Sequence, residues 1–168
     1  MPTSFSLRRL VLPLLALCCF AQIAAAQSTI FLVRHAEKAE AGAADPQDPD
    51  LSEAGRARAD SLATTLKDAR LTAIYATEFK RTQQTAAPSA QAAGLTTKFV
   101  PGKKTAALLA KLRSARGNVL VVGHSNTLPE IIQGLSVSAP VVIGETDYDN
   151  LFLVIRSTPP RFIRLHYR

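Results

Sequence analysis

An α/β fold, a three-layer α/β/α sandwich with a mostly parallel central sheet and a C-terminal antiparallel hairpin, is predicted by three features of this sequence. Apolar β-branched runs alternate with stretches whose apolar residues recur at helical spacing, the pattern of a parallel sheet covered on both faces. The last two strand-like runs, Leu151 to Arg156 and Phe162 to Tyr167, follow one another across Pro159-Pro160 with no helix between them, which makes them a hairpin. The chain has 168 residues, 47% hydrophobic and 20% charged, enough for one domain with a single core and far from the composition of a disordered chain.

Residues 1–26 read as an address rather than as part of that core. Arg8 and Arg9 precede an apolar run from Leu10 to Ala21, and Ala24-Ala25-Ala26 supplies the small residues at which a signal peptidase cuts. Pro13 interrupts the run, and a bilayer span needs roughly 20 apolar residues, so a secretory signal is expected and a membrane span is not. The folded domain is then 27–168, placed in the periplasm or outside the cell. Cys18 and Cys19 both lie in the leader, so neither a disulfide framework nor a thiolate metal site is expected downstream. Losing Arg8 and Arg9 lowers the formal net charge from +7 to +5, a surplus that favours anionic ligands. No basic run interleaved with aromatics appears, and nucleic acid is not an expected partner.

Thr29 to Val33 is a buried strand ending in Arg34-His35, followed by a loop rich in Gly, Asp and Pro from Ala41 to Asp50. Ser52 is placed to N-cap a helix over about 53–69, with Ala59, Leu62, Ala63 and Leu66 on one face. Leu71 to Ala76 is a second strand; Thr77 then caps a helix to about Ala93, which Gly94 ends. A short strand over 96–100 leads to a helix over about 103–115, with Ala107, Leu108, Ala110 and Leu112 toward the core and Gly117 stopping it. Asn118 to Val122 is the most apolar strand of the domain and empties into Gly123-His124-Ser125-Asn126. Thr127 and Glu130 have the spacing of a capping box, so another helix starts there.

Three strands thus release a phosphate-competent residue at or just past their carboxyl ends: Arg34-His35, Arg81 and His124. That edge is where open α/β sheets bind ligands. Arg81 also lies in the first turns of its helix, where unpaired backbone N–H groups favour an anion. Two guanidinium groups grip phosphate oxygens in a planar, bidentate way, and with two histidines beside them they suggest phosphoryl transfer.

Val33-Arg34-His35-Ala36-Glu37-Lys38, Asp50-Leu51-Ser52 with Gly55, Arg81-Thr82-Gln83-Gln84-Thr85-Ala86 and Val122-Gly123-His124-Ser125-Asn126 together resemble the histidine phosphatase (phosphoglycerate mutase-like) superfamily, in the family's order. The resemblance implies that fold and a phosphatase activity similar to that of the small phosphohistidine phosphatases. His35 then matches the nucleophile that forms a phosphohistidine later hydrolysed by water. Arg34 and Arg81 match the arginines on the phosphoryl oxygens, and His124 the second histidine, which donates to the transferring group. No metal or other cofactor is implied, and the partner is a small phosphorylated substrate or phosphate itself.

One departure stands out: there is no Asp or Glu between Glu78 and Glu130, where many family members carry a proton-donating acid. Either Glu78 or Glu37 fills that role, or the substrates have good leaving groups, such as phosphoramidates. Glu78 at a helix start also fits a purely structural role, and Glu37 a hydrogen bond within the pocket. Ser125 and Asn126 are read as helix-entry residues that also reach the phosphate. His166 falls on the last strand as a surface residue. Lys103, Lys104, Lys111, Arg113 and Arg116 form a basic helix face. Asp45, Asp48 and Asp50 lack the spacing of a calcium loop. The rival reading is a non-catalytic anion-binding protein of the same fold.

Overall fold

A computed structural model describes residues 28–39 and 45–168; the proposed leader and the first part of the loop after Lys38 lie outside the described residues. The elements are β1 (Thr29–Arg34), α1 (Glu53–Thr65), β2 (Leu71–Ala76), α2 (Lys80–Ala93), β3 (Lys98–Phe99), α3 (Thr105–Ser114), β4 (Asn118–Gly123), α4 (Leu128–Gly134), β5 (Asn150–Ile155) and β6 (Arg161–His166). They build a 6-stranded sheet in the order β3-β2-β4-β1-β5-β6. The pairs β3–β2, β2–β4 and β4–β1 are parallel, and β1–β5 and β5–β6 antiparallel. Only β5 runs against the rest, so the expected mostly parallel sheet with a terminal hairpin is what forms.

The side chains of each central strand alternate between two cores, as a two-residue period requires. Ile30 and Leu32 of β1 with Val119 and Val121 of β4 meet Leu108 and Leu112 of α3 and Ile131 and Ile132 of α4. Phe31 and Val33 with Leu120 and Val122 meet Leu62 of α1 and Ala86 and Ala90 of α2. Helices therefore cover both faces, α1 and α2 on one and α3 and α4 on the other. Among the described residues no helix is long and apolar enough to cross a membrane.

Several local readings change at the helix ends. Ser52 does cap α1, its hydroxyl accepting from the Gly55 N–H at 3.0 Å, but α1 stops at Thr65 rather than Ala69. Thr77 does not cap α2. That helix begins at Lys80, and its first N–H is taken by the Asp48 carboxylate at 3.0 and 3.1 Å, a cap supplied from a distant loop. Thr127 makes no side-chain cap either, and its partner in the expected box, Glu130, lies near the Thr105 hydroxyl instead. Ala107 and Ala110 of α3 are exposed, while Thr105, Leu108 and Leu112 are buried, because α3 presents a narrow stripe to the sheet. β3 is reduced to two residues at the sheet edge. Gly94 closes α2 at φ 64°, where a left-handed residue is needed and glycine adopts it without strain.

Candidate active site

The sheet order places the functional residues side by side. Arg34, last in β1, is paired in register with Gly123, last in β4, so His35 and His124 leave adjacent strands at the same level. The His35 N–H donates to the Gly123 carbonyl at 2.9 Å and extends that ladder into the site. On the other side of β4, Val122 is in register with Ala76 of β2, which brings Thr77 level with Gly123, one residue before His124.

His35 is 5% exposed and its ring is fixed by one hydrogen bond, Nδ1 to the Ala36 carbonyl at 2.8 Å. A carbonyl only accepts, so Nδ1 carries the proton and Nε2 keeps its lone pair. Nε2 has no partner among the described residues, as a nucleophile requires. Burial lowers the His35 pKa to about 3; the Ala36 bond opposes this, and the charges of His124, Arg81 and Arg34 reinforce it. The imidazole is neutral at pH 7. Ala36 is itself pinned, its N–H donating to Thr85 Oγ1 at 2.9 Å while that hydroxyl donates to the Arg81 carbonyl at 2.7 Å. The loop that carries His35 and the helix that carries Arg81 are thus tied through one threonine.

His124 stands with its ring centroid 5.4 Å from that of His35, edge to face, and the Phe79 ring, nearly perpendicular, has its centroid 5.4 Å away as well. Its Nε2 is 3.0 Å from Thr77 Oγ1. Burial lowers its pKa to about 4, with Arg81 and Arg34 lowering it further and Glu78 opposing them.

The two arginines are anchored differently. Arg34 donates through Nη1 to the Gly144 and Glu145 carbonyls at 2.7 and 2.8 Å, approaches the Glu145 carboxylate at 3.3 Å, and lies over the Tyr148 ring at 4.3 Å. Arg81 lies over the Phe79 ring at 4.2 Å and faces Asp48 Oδ1 at 3.5 Å. In both, the Nε–H is buried and has no hydrogen-bond partner among the described residues. A buried donor left unpaired costs about 1–3 kcal/mol, and an anion bridging the two arginines offers the acceptors that the protein withholds.

Glu78 reaches the same cleft, which is lined by Phe79, Arg81, Gly102, Lys103, His124 and Asn126. Its carboxylate accepts from the Gly102 N–H at 2.8 Å, so it is present at the rim but already engaged. Glu37, expected in the pocket, is turned to α1. Arg58 donates to its two oxygens at 2.6 to 2.9 Å, and the pair is only partly exposed. Burial would raise the Glu37 pKa, but the Arg58 hydrogen bond and charge hold it below the usual value. Glu37 also matters through its main chain: its carbonyl accepts from the Ser52 N–H and passes so close to Gly55 that a Cβ there would lie 2.2 Å from the oxygen. Ser125 and Asn126 follow His124 in the turn before α4, Asn126 exposed on the cleft wall. His166 is on the surface beside Asp149 at 3.1 Å. Asp45, Asp48 and Asp50 are spent on a turn, on the α2 cap and on the Gln84 amide.

Sequence reasoning missed Thr77 as a pocket residue, along with Thr82, Phe79, Tyr148 and Glu145. Thr77 follows directly on the carboxyl end of β2, so the positional argument that singled out His35 and His124 applied to it as well. Tyr148 and Glu145 come from a long connection without periodicity and left no such signal.

The model of the histidine phosphatase superfamily (branch 1) matches residues 30–104, a stretch that carries Arg34, His35, Glu78 and Arg81. No curated protein matches the chain. Among solved structures, mycobacterial glucosyl-3-phosphoglycerate phosphatase Rv2419c superposes with a TM-score of 0.64 at 12% identity, covering 83% of this chain and 97% of its own. The protein histidine phosphatase SixA complexed with tungstate gives a TM-score of 0.66 at 19% identity, covering 82% of this chain and 96% of its own. These likenesses extend the shared fold beyond the matched segment to the strands that carry His124 and the hairpin. Over residues 30–104 the chain is thus similar to the histidine phosphatase superfamily, and its fold is the one these phosphatases share.

Proposed function

We propose that this protein is an exported, metal-independent phosphatase that hydrolyses phosphomonoesters or phosphoramidates through a phosphohistidine at His35. The observation that carries the reading is the convergence on one strand edge of a neutral imidazole with a free Nε2, a second imidazole 5.4 Å away and two arginines whose buried Nε–H groups lack acceptors. The arginines hold the phosphoryl oxygens and stabilise the charge of transfer, the work on which phosphoryl transfer chiefly depends. The Nε2 of His35 attacks phosphorus, the leaving group departs, and water then cleaves the P–N bond. Structures of Rv2419c, which shares this fold, have been solved with inorganic phosphate and with vanadate, which supports a phosphorylated substrate or phosphate as the ligand.

Substrates with good leaving groups fit best, because Glu78, the carboxylate on the cleft wall among the described residues, is engaged by the Gly102 N–H. The leader at 1–26 supports work in the periplasm or outside the cell, on small phosphorylated compounds. The test is turnover by the exported protein of phosphohistidine, an aryl phosphate, a sugar phosphate and a phosphoglycerate in the presence of a chelator, with His35→Ala alongside. Chelator-resistant release that vanishes in the variant is expected. A mature protein that retains residues 1–26 would contradict the export reading. Phosphate binding without turnover of any substrate would favour the rival, a non-catalytic anion-binding protein.

A further inference from the structure

The second histidine is held by a device unlike that of the first. Thr77 and Thr82 are buried hydroxyls, 8% and 0% exposed, and their oxygens lie 2.9 Å apart. Thr77 Oγ1 is also 3.0 Å from His124 Nε2, and Thr82 Oγ1 is 2.8 Å from the Phe79 carbonyl and 3.2 Å from the Thr77 carbonyl, acceptors both. Each hydroxyl has one proton to give, and the chain ends on a carbonyl, which only accepts. A separation of 2.8 Å between a hydroxyl and a carbonyl oxygen requires a hydrogen between them, so Thr82 donates to Phe79. Thr77 must then donate to Thr82, and its oxygen is left to accept from Nε2–H of His124. The reverse direction would set two acceptor lone pairs against each other at the Phe79 end.

We propose that Thr77 and Thr82 form a hydroxyl relay, anchored on the Phe79 carbonyl, that fixes neutral His124 as the Nε2–H tautomer and leaves Nδ1 as an open proton acceptor. The edge of the ring bearing Cδ2 and Nε2 packs beside Gly102 and Thr77, and Nδ1, on the opposite edge, meets no described partner. The groups that act on His124 from the surrounding elements are Arg34, His35, Glu78 and Arg81. Thr77 and Thr82 are positioning residues; the atom that handles a proton is Nδ1.

The consequence for catalysis rests on the phosphatase reading above, whereas the tautomer does not. Neutral His124 enters the reaction as an acceptor, so the proton it later donates arrives with the substrate. A phosphate monoester monoanion passes its P–OH proton to Nδ1. As His35 Nε2 forms the N–P bond, the bond from phosphorus to the leaving oxygen breaks, and that oxygen takes its electron pair and then the Nδ1 proton. In the second step water attacks phosphorus and gives a proton to Nδ1, the N–P electron pair returns to His35, and the proton leaves on the released phosphate. No carboxylic acid is needed, which accounts for a Glu78 committed to the Gly102 N–H.

Nitrogen-15 spectra of the histidine-labelled protein at pH 8 test the relay directly, since the chain has only 3 histidines and His166→Gln identifies the surface one. The expected result is an Nδ1–H pattern for His35 and an Nε2–H pattern for His124. Thr77→Val should abolish the latter and Thr77→Ser preserve it, with kcat falling about tenfold or more in the valine variant while KM changes less. An Nδ1–H pattern for His124, or an Nε2–H pattern unchanged in Thr77→Val, overturns the proposal. Should the valine variant not fold, the unmodified protein's spectrum decides alone. A protein with the expected tautomers but no turnover refutes the phosphatase reading and leaves the relay standing.

Discussion

The two halves of the pocket are built on different principles. On the β1 side, main-chain groups do the holding: His35 is oriented by the Ala36 carbonyl, its N–H by Gly123, and Arg34 by the carbonyls of Gly144 and Glu145. On the β2 and β4 side, side chains do it: His124 by the Thr77 hydroxyl, Arg81 by Asp48 and the face of Phe79. A carbonyl anchor survives most substitutions of the residue that bears it, whereas a hydroxyl or carboxylate anchor is lost with its side chain. The nucleophile half should therefore be sensitive mainly to changes in the reacting residues themselves. The second half should also respond to changes one shell further out.

The largest effect that sharpens this contrast is on His35. His35→Ala removes the proposed nucleophile, and turnover should fall by at least about a thousandfold in an initial-rate assay. Next come the arginines. Arg34→Ala and Arg81→Ala should each lower kcat by about 10²–10³, the scale of losing a preorganised donor to the transferring group. They should part company in stability, because Arg34 ties the 144–145 segment to β1, whereas among the described residues Arg81 is held by Asp48 and Phe79. A thermal melt in which Arg81→Ala unfolds earlier than Arg34→Ala would break the comparison.

Gly55→Ala probes the main-chain side from a distance. Its Cβ would meet the Glu37 carbonyl at 2.2 Å, so α1 or the segment after His35 must shift, at about 1–3 kcal/mol read as a lowered denaturation midpoint. The pH dependence of stability follows from the histidines. Their folded pKa values, about 3 and about 4, lie below the unfolded 6.5, so between those values the unfolded chain binds more protons. Stability is complete above pH 6.5 and is lost as pH falls toward 4 and then 3; His124→Asn should flatten the slope in a melt series. The smallest effect is at Arg58→Ala, which frees Glu37 at a partly exposed pair. It should cost under about 1 kcal/mol, present above the ordinary glutamate pKa and lost as pH falls through the lowered one.

The same contrast governs what could be read before any coordinates. Strand runs such as Thr29 to Val33 and Asn118 to Val122 are patterned by burial on both faces, and the sheet they form is the one expected from them. Arg34, His35, Arg81 and His124 were legible because they follow directly on elements that composition reveals. The helix ends were less so. Thr77 has the residue type and place of an N-cap, yet its hydroxyl bonds Thr82 and His124, and the α2 cap comes from Asp48, 32 residues earlier. Glu37 follows the nucleophile in the chain, but its carboxylate is drawn to Arg58, a pairing set by where α1 lies across the loop. Local sequence records propensity, and these contacts are decided by tertiary neighbours.

Trapping the covalent intermediate tests the central claim most directly. The protein mixed with phosphorus-32-labelled phosphohistidine and quenched within milliseconds should carry a phosphoryl group that is stable to base, labile to acid and located at His35, with none formed by His35→Ala. Turnover that proceeds without such an adduct, or with the phosphoryl group on another residue, would contradict the account.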